Sequence, residues 1–401
     1  MITRILDASI RFRWAVVIVT LIISAYGVTQ LLKLPIDAVP DITNKQVQIN
    51  TISPNLGPLD MERLVTFPVE TAMAGIPGLE SSRSISRNGF SQVTVVFEDH
   101  TDLYFARQQV AERLNQAQGA LPEGIEPEMG PVSTGLGEVL MYVVDFKPSG
   151  TKGNPRVDGR PGFQTNGTYL TSGGELLTDD VAKEGYLRSV QDWVIRPQLR
   201  SVPGVAGIDS IGGYEKQFVV LPDPARMSNY GISFSELAEA LEEANISVGA
   251  NFVERGGEAF LVRADGRIRT LDEISRATVA TRGGVPVQVR DVANVRVGGD
   301  LRTGSATMNG EEVVIGTALM LAGENSRVVA SAVAERLEEV AKSMPPGVEV
   351  RTVLDRSELV DATIGTVEEN LLFGALLVIG VLFWLLGNFR AALIAALVIP
   401  L

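Results

Sequence analysis

Cysteine is absent from the 401 residues, and histidine occurs once, as His100. The first absence excludes disulfide scaffolds, thiolate-held zinc, iron–sulfur clusters and thiol nucleophiles. The second excludes metal cages built on several imidazoles. No lysine follows a glycine, so the phosphate-cradling G-x-x-x-x-G-K-[ST] loop is missing and ATP hydrolysis within this chain is unsupported. Positive charge is also in deficit: 35 Lys and Arg against 48 Asp and Glu leave a formal net charge of −13. A nucleic-acid partner is therefore excluded, because backbone binding needs clustered cations that release counterions.

Apolar residues, by contrast, are plentiful and concentrated at the two ends. Trp14 to Leu32 is a run of nineteen residues and Leu371 to Gly387 one of seventeen, neither with an ionisable side chain. Both fall in the ~17–25 residues that cross a bilayer core as helix. The first is too long for the apolar region of a signal peptide and has no small-x-small cleavage site before Lys33. Arg4, Arg11 and Arg13 precede the first run and Arg390 follows the second. Basic loops stay cytoplasmic, which places Lys33 to Glu369 outside the cytoplasm. A third apolar run from Ala391 to Leu401 is only eleven residues. That is too few for the ~30 Å hydrocarbon core, and the expectation is an N-terminal piece of a longer multi-pass protein.

Between the runs, β-branched strands alternate with helical patterns. A helix is expected from Asp102 to Gln118, with Leu103, Ala106, Val110 and Leu114 on one stripe. Its segment Val110-Ala111-Glu112-Arg113-Leu114 returns 223 residues later as Val333-Ala334-Glu335-Arg336-Leu337, and Pro122 to Glu126 returns as Pro345 to Glu349 at the same offset. Each copy follows a strand (Val93 to Phe97, Val313 to Leu321), so each reads as strand, helix, Pro-Gly turn, strand, half of a split β-α-β unit. A further helix, Tyr186 to Arg200, kinked or ended at Pro197, leads to a strand Val205 to Ile211. From Lys216 the texture changes to short glycine-rich strands and one acidic helix, Ser233 to Ala244. Pro148 to Gly174 has no periodicity and reads as a flexible surface excursion.

Several strings then resemble one family. Leu34-Pro35-Ile36-Asp37-Ala38-Val39-Pro40-Asp41-Ile42-Thr43-Asn44, Thr66 to Glu70, Met73 to Leu79, Gly130 to Glu138, Asp192 to Arg200, Gly323 to Arg327 and Leu386 to Arg390 are similar to the heavy-metal efflux branch of the resistance-nodulation-division (RND) transporters, cobalt–zinc–cadmium type. The resemblance implies an α+β membrane protein, with transmembrane helices and a large periplasmic region of ferredoxin-like β-α-β porter subdomains carrying an inserted docking subdomain. The implied division is residues 1–33 (cytoplasmic N-terminus and first span), 34–132 (first porter subdomain), 133–215 (second porter subdomain, first part, with the flexible excursion 148–174), 216–297 (docking subdomain), 298–369 (remainder of the second porter subdomain), 370–387 (second span) and 388–401 (cytoplasmic turn and start of a third span).

The implied function is proton-driven export of divalent cations of the Zn, Co and Cd class by alternating access. The implied partners are a homotrimer in the bacterial inner membrane, a periplasmic adaptor and an outer-membrane channel. The proton-relay carboxylate of the family would lie beyond residue 401. Two other readings stay open: a multidrug RND exporter, which the scattered 14 phenylalanines disfavour, and a membrane-tethered assembly or adaptor module without transport.

For a divalent cation the available ligands are carboxylates. Glu138, after the Gly135-Leu136-Gly137 turn, is a candidate metal ligand able to aim into a cleft between subdomains. Asp192, on the neighbouring helix, is the second candidate, and further ligands would come from the remainder of the protein. No permanently bound cofactor is expected. Asp37 and Asp41 suit turn geometry, and His100 suits a strand-to-helix turn.

Overall fold

The structure is a computed structural model and describes residues 9–31, 42–147, 159–300, 302 and 304–386. Asp37, Asp41, the first part of the excursion and the run Ala391 to Leu401 lie outside the described residues.

Residues 46–129 form one α/β unit. Its strands are Gln46–Ile52, Leu79–Arg87, Phe90–Phe97 and Glu128–Met129, all antiparallel, and the spatial order is second, third, first, fourth. This is the order of a split β-α-β unit. The helix Leu103–Ala117 starts where Asp102 accepts the Phe105 N–H at 2.8 Å, a side-chain N-cap. Of the expected stripe, Ala106, Val110 and Leu114 are buried and Leu103 is half-buried against Val47, Ile49, Val93, Val95 and Phe97, and Ala117 extends the buried face by one further position.

A second unit repeats the plan. Its strands Glu138–Phe146, Val205–Ile211, Glu311–Met320 and Val348–Asp355 take the same order and are likewise antiparallel. The 223-residue repeat falls on equivalent elements: Val329, Val333, Leu337 and Val340 of the helix Ser326–Ala341 are buried, matching Ala106, Val110, Leu114 and Ala117 one for one. The units differ in how strand two meets strand three. The first has a tight hairpin through Gly89 (φ +70°). The second sends the chain out into an insert with its own core of Met227, Ile232, Leu237, Val289 and Val292, closed at its neck by the ladder Lys216–Pro222 with Ala293–Gly299.

The first helix of each unit contains a π turn, Glu62–Thr66 in one and Gln191–Ile195 in the other. Each is followed by proline two residues on, Pro68 and Pro197. Proline lacks an N–H and its ring crowds the carbonyl four residues back. The wider turn relieves that crowding, with Phe67 N–H bonding Glu62 and Arg196 N–H bonding Gln191. The helix thus continues through Pro197 to Arg200, and Pro197 does not end it.

The excursion differs from its expected form. Gly162–Phe163, Tyr169–Leu170 and Leu176–Leu177 make a small antiparallel meander. Tyr169 is fully buried among Phe146, Phe163 and Tyr186 at ring separations of 4.8–5.4 Å. Aromatic packing across distant segments, rather than local periodicity, builds it.

The strand Val348–Asp355 runs directly into the helix Arg356–Leu386, with Asp355 accepting the Ser357 N–H at 2.8 Å. Arg327 pairs with Asp361 at 2.8 Å and Val360 is fully buried, so the first turns pack on the second unit. Beyond Glu369 the helix is apolar and uncovered. Among the described residues it is the one helix long and apolar enough to cross a membrane, with none of its apolar stretch buried; the apolar helix Arg13–Gly27 is shorter.

At the centre of the second sheet, Tyr142, Gly316 and Ser210 form one cross-strand row. A Cβ on Gly316 would lie 2.2 Å from the Tyr142 ring, so the phenol lies across the strand only because residue 316 is glycine. Gly316→Ala is expected to lower stability by about 1–3 kcal/mol, the cost of overpacking a core. Combined with Tyr142→Ala it should add less than the sum of the two single changes in thermal or denaturant unfolding.

Candidate functional site

Residues 130–138 tie the two units and the long helix together. The Gly130 N–H extends the first sheet by bonding Gln48 O at 2.8 Å, while Met320 N–H reaches Gly137 O at 2.7 Å and Ala322 N–H reaches Val132 O at 3.0 Å on the second unit. Two arginines pin the segment: Arg107 donates to Gly130 O at 2.8 Å and Arg356, the first residue of the long helix, donates to Leu136 O at 2.6 Å. A side chain at Gly137 would meet Thr134 O at 3.0 Å and Ser133 Cβ at 3.2 Å, which explains the glycine there. Glu138 follows as the first residue of its strand, exposed, and opposite a register shift between Ala318 and Leu319. Bulges of this kind re-aim side chains near functional sites.

Asp192 sits elsewhere. It lies in the π turn, where Arg188 Nε approaches at 2.6 Å, Arg196 Nη1 at 3.4 Å and the Ser210 hydroxyl donates at 2.7 Å. Gln191 Nε2 donates to Ser210 Oγ at 3.2 Å. Tyr142 lies beside this group, and burial pushes its phenol well above the usual range. The hydroxyl of Tyr142 and Oε1 of Gln191 are buried without a hydrogen-bond partner. The network opens on a cleft of about 870 Å³ lined by Arg188, Asp192, Trp193, Arg196, Lys216 and Phe218, with Trp193 81% exposed at its rim.

The structure does not bring Glu138 and Asp192 together. Asp192 is level with Tyr142, four residues along the strand from Glu138, or roughly 13 Å at ~3.3 Å per residue. One cation cannot bond carboxylates so far apart. Among the described residues, no three His, Asp or Glu side chains converge where a metal ion could be held. His100 is exposed in the strand-to-helix turn, with Nε2 3.3 Å from Glu98.

With this geometry in place, comparison with known proteins becomes informative. The sequence model of the AcrB/AcrD/AcrF family matches residues 5–401. The chain belongs to that family. Among its relatives are the nickel-cobalt-cadmium resistance protein NccA of Alcaligenes xylosoxydans xylosoxydans, 60% identical over 401 residues, and the nickel and cobalt resistance protein CnrA of Cupriavidus metallidurans, 58% identical over 402. The cobalt-zinc-cadmium resistance protein CzcA of the same species is 48% identical over 401 residues. The matches to NccA and CnrA cover all of this chain and 37% of each relative; that to CzcA covers all of it and 36% of the relative. A crystal structure of a heavy metal efflux pump superposes with a TM-score of 0.82 at 32% identity, over 97% of this chain and 36% of that one. The heavy-metal resemblance seen in the sequence is thereby borne out. Of these three relatives, the two whose names include nickel match better than the cobalt-zinc-cadmium protein.

Sequence reasoning missed the residues that organise this region. Gly316 stands inside the β-branched run Val313 to Met320, and a lone strand glycine is a usable signal of close approach. Arg107, Arg356 and Ser210 carry no local signal, because their partners are distant in sequence.

The Asp192 geometry makes a stability prediction. Asp192→Asn leaves two guanidinium groups without their anion and is expected to cost about 1.5–3 kcal/mol, the scale of hydrogen bonds to charged groups. Urea unfolding of the variant checks it, and an unchanged midpoint would show that the clamp carries no weight.

Proposed function

We propose that the chain forms the first part of a bacterial inner-membrane pump that exports divalent heavy-metal cations, with nickel and cobalt inside its substrate class. The observation that carries this reading is identity of 58–60% with proteins named for nickel and cobalt resistance, supported by the fold of a heavy metal efflux pump. The exposed apolar helix following Glu369, together with Arg13–Leu31, would anchor the folded body in the bilayer as parts of a multi-pass protein. The two split β-α-β units (residues 34–132, and 133–215 with 298–369) would be the porter subdomains, moving against each other about the segment 130–138. The insert at 216–297 would dock toward an outer-membrane channel, with a periplasmic adaptor around a homotrimer. Proton influx would supply the energy through carboxylates outside this chain.

Of the two carboxylates considered as metal ligands, Glu138 is the one open to a cation. Its position at the end of the segment that joins both units would let subdomain movement expose or cover it. A cation at Asp192 would first have to displace Arg188 and Arg196, so its proposed role is to hold the helix on the sheet. A transient cargo site fits this arrangement better than a closed cage: an exporter must release what it binds, and remaining ligands would come from the rest of the protein.

Two measurements on the full-length protein test the proposal. Cells expressing it should accumulate less nickel or cobalt than cells without it, and equal accumulation would refute export. In calorimetry with nickel, Glu138→Ala should weaken binding by about tenfold, the ~1.4 kcal/mol of one modest ligand, while Asp192→Ala should leave affinity unchanged. Unaltered affinity in Glu138→Ala would remove Glu138 from the path.

A further inference from the structure

The insert is joined to the second unit by two chain connections that pack on each other. Asp300 N–H donates to Glu215 O at 3.0 Å, Lys216 pairs with Gly299, and Gly299 lies so close to Tyr214 that a Cβ there would sit 2.6 Å from the ring. Arg302, on the returning connection, stacks over the Tyr214 ring of the outgoing one at 4.6 Å. The same guanidinium reaches Glu312 at 2.7 Å and Glu184 at 3.5 Å. Glu184 stands on the helix Asp180–Val190 and Glu312 on the strand Glu311–Met320. One arginine thus holds both connections of the insert to two elements of the unit below.

The charge count of this cluster is unbalanced. Facing Glu184 are Glu312 from the strand, Arg302 from the returning connection and Asp180 from its own helix, with Asp180 held by Lys183 at 3.4 Å and Tyr214 stacked on the far partner, Arg302. Asp300 stands two residues before Arg302 on the returning connection. One cation cannot neutralise two carboxylates, and a proton shared between them supplies the missing charge. We propose that Glu184, Glu312 and Arg302 form a proton-dependent clamp at the neck of the insert, closed when Glu184 shares a proton with Glu312 and loosened when both are ionised.

Burial above all, then the hydrogen bond and charge of Glu312, push Glu184 up to about 7, whereas Arg302 holds Glu312 below the usual carboxylate range. The two titrate as a pair. Between the ordinary range of a glutamate and about 7, the folded cluster holds a proton that an unfolded chain would release. The closing contribution is therefore complete only below the ordinary range of a glutamate, is lost progressively as pH rises from there, and is gone once pH has passed about 7. The inference rests on the cluster alone and stands apart from the cargo of the protein.

Hydrogen exchange on the full-length protein, read in peptides covering 212–216 and 299–304 and corrected for the intrinsic pH dependence of exchange, tests the clamp. Protection at the neck should be greatest near the ordinary range of a glutamate, fall about tenfold or more as pH rises from there to about 7, and level off above it. Glu184→Gln, the neutral isostere, should keep high protection throughout. Glu312→Gln should move the midpoint toward the ordinary carboxylate range. Protection in the strand Glu138–Phe146 reports that each variant is folded. Neck protection independent of pH in the parent protein, or an unchanged pH dependence in Glu184→Gln, would overturn the proposal.

Discussion

An apolar helix that the described residues of this chain leave uncovered is the constraint on which the rest of the structure depends. Trp384 and Leu385 are 85% and 73% exposed, and a contiguous apolar surface of that kind is stable only against lipid or another chain. The helix is not an appendage. It continues the fourth strand of the second unit without a loop, its start is capped by Asp355, and its first residue, Arg356, grips the segment joining the two units. Any force on the helix therefore reaches the seam between the units directly, through one guanidinium and one strand.

The folded body is built to transmit such a force rather than absorb it. Each unit is a sheet covered by two helices, with fully buried side chains at the seam of sheet and helix. Every buried Val, Leu or Ile contributes about 1.5–3 kcal/mol relative to exposure, and close-packed interiors of this kind have low compressibility. The segment between them is held by backbone hydrogen bonds to both sides. Arg302 performs a similar task at the neck of the insert. Rigid pieces joined at narrow, polar, arginine-pinned connections are the architecture expected of shear or hinge motion.

What the sequence made legible follows from how local each cause is. The helix stripe at Ala106, Val110 and Leu114 and its echo at Val329, Val333 and Leu337 could be read because helical burial repeats within a few residues. The capped helix after Ser233 could be read for the same reason, since Ser233 and Glu236 form a reciprocal capping box. The π turns before Pro68 and Pro197 were hidden, because proline signals a break and gives no hint of how the helix survives it. The meander around Tyr169 was hidden as well: its stability comes from Phe146 and Tyr186, which are distant in sequence. The candidate carboxylates differ in their surroundings in a way their sequence context does not reveal. Glu138 stands exposed at the start of its strand, whereas Asp192, indistinguishable from a ligand in sequence, is held between Arg188 and Arg196 one turn either side of it.

The proposal that organises these observations is that the folded body between the apolar helices lies on the far side of the inner membrane from the N-terminal arginines. Cysteine labelling reads this directly in a full-length parent with serine in place of any cysteine outside these 401 residues, which contain none. In cells with a permeabilised outer membrane, a membrane-impermeant maleimide should modify the full-length protein carrying Glu243→Cys on the insert and leave the Arg11→Cys protein untouched until the inner membrane is opened. Labelling of Arg11→Cys with protection of Glu243→Cys would contradict the account.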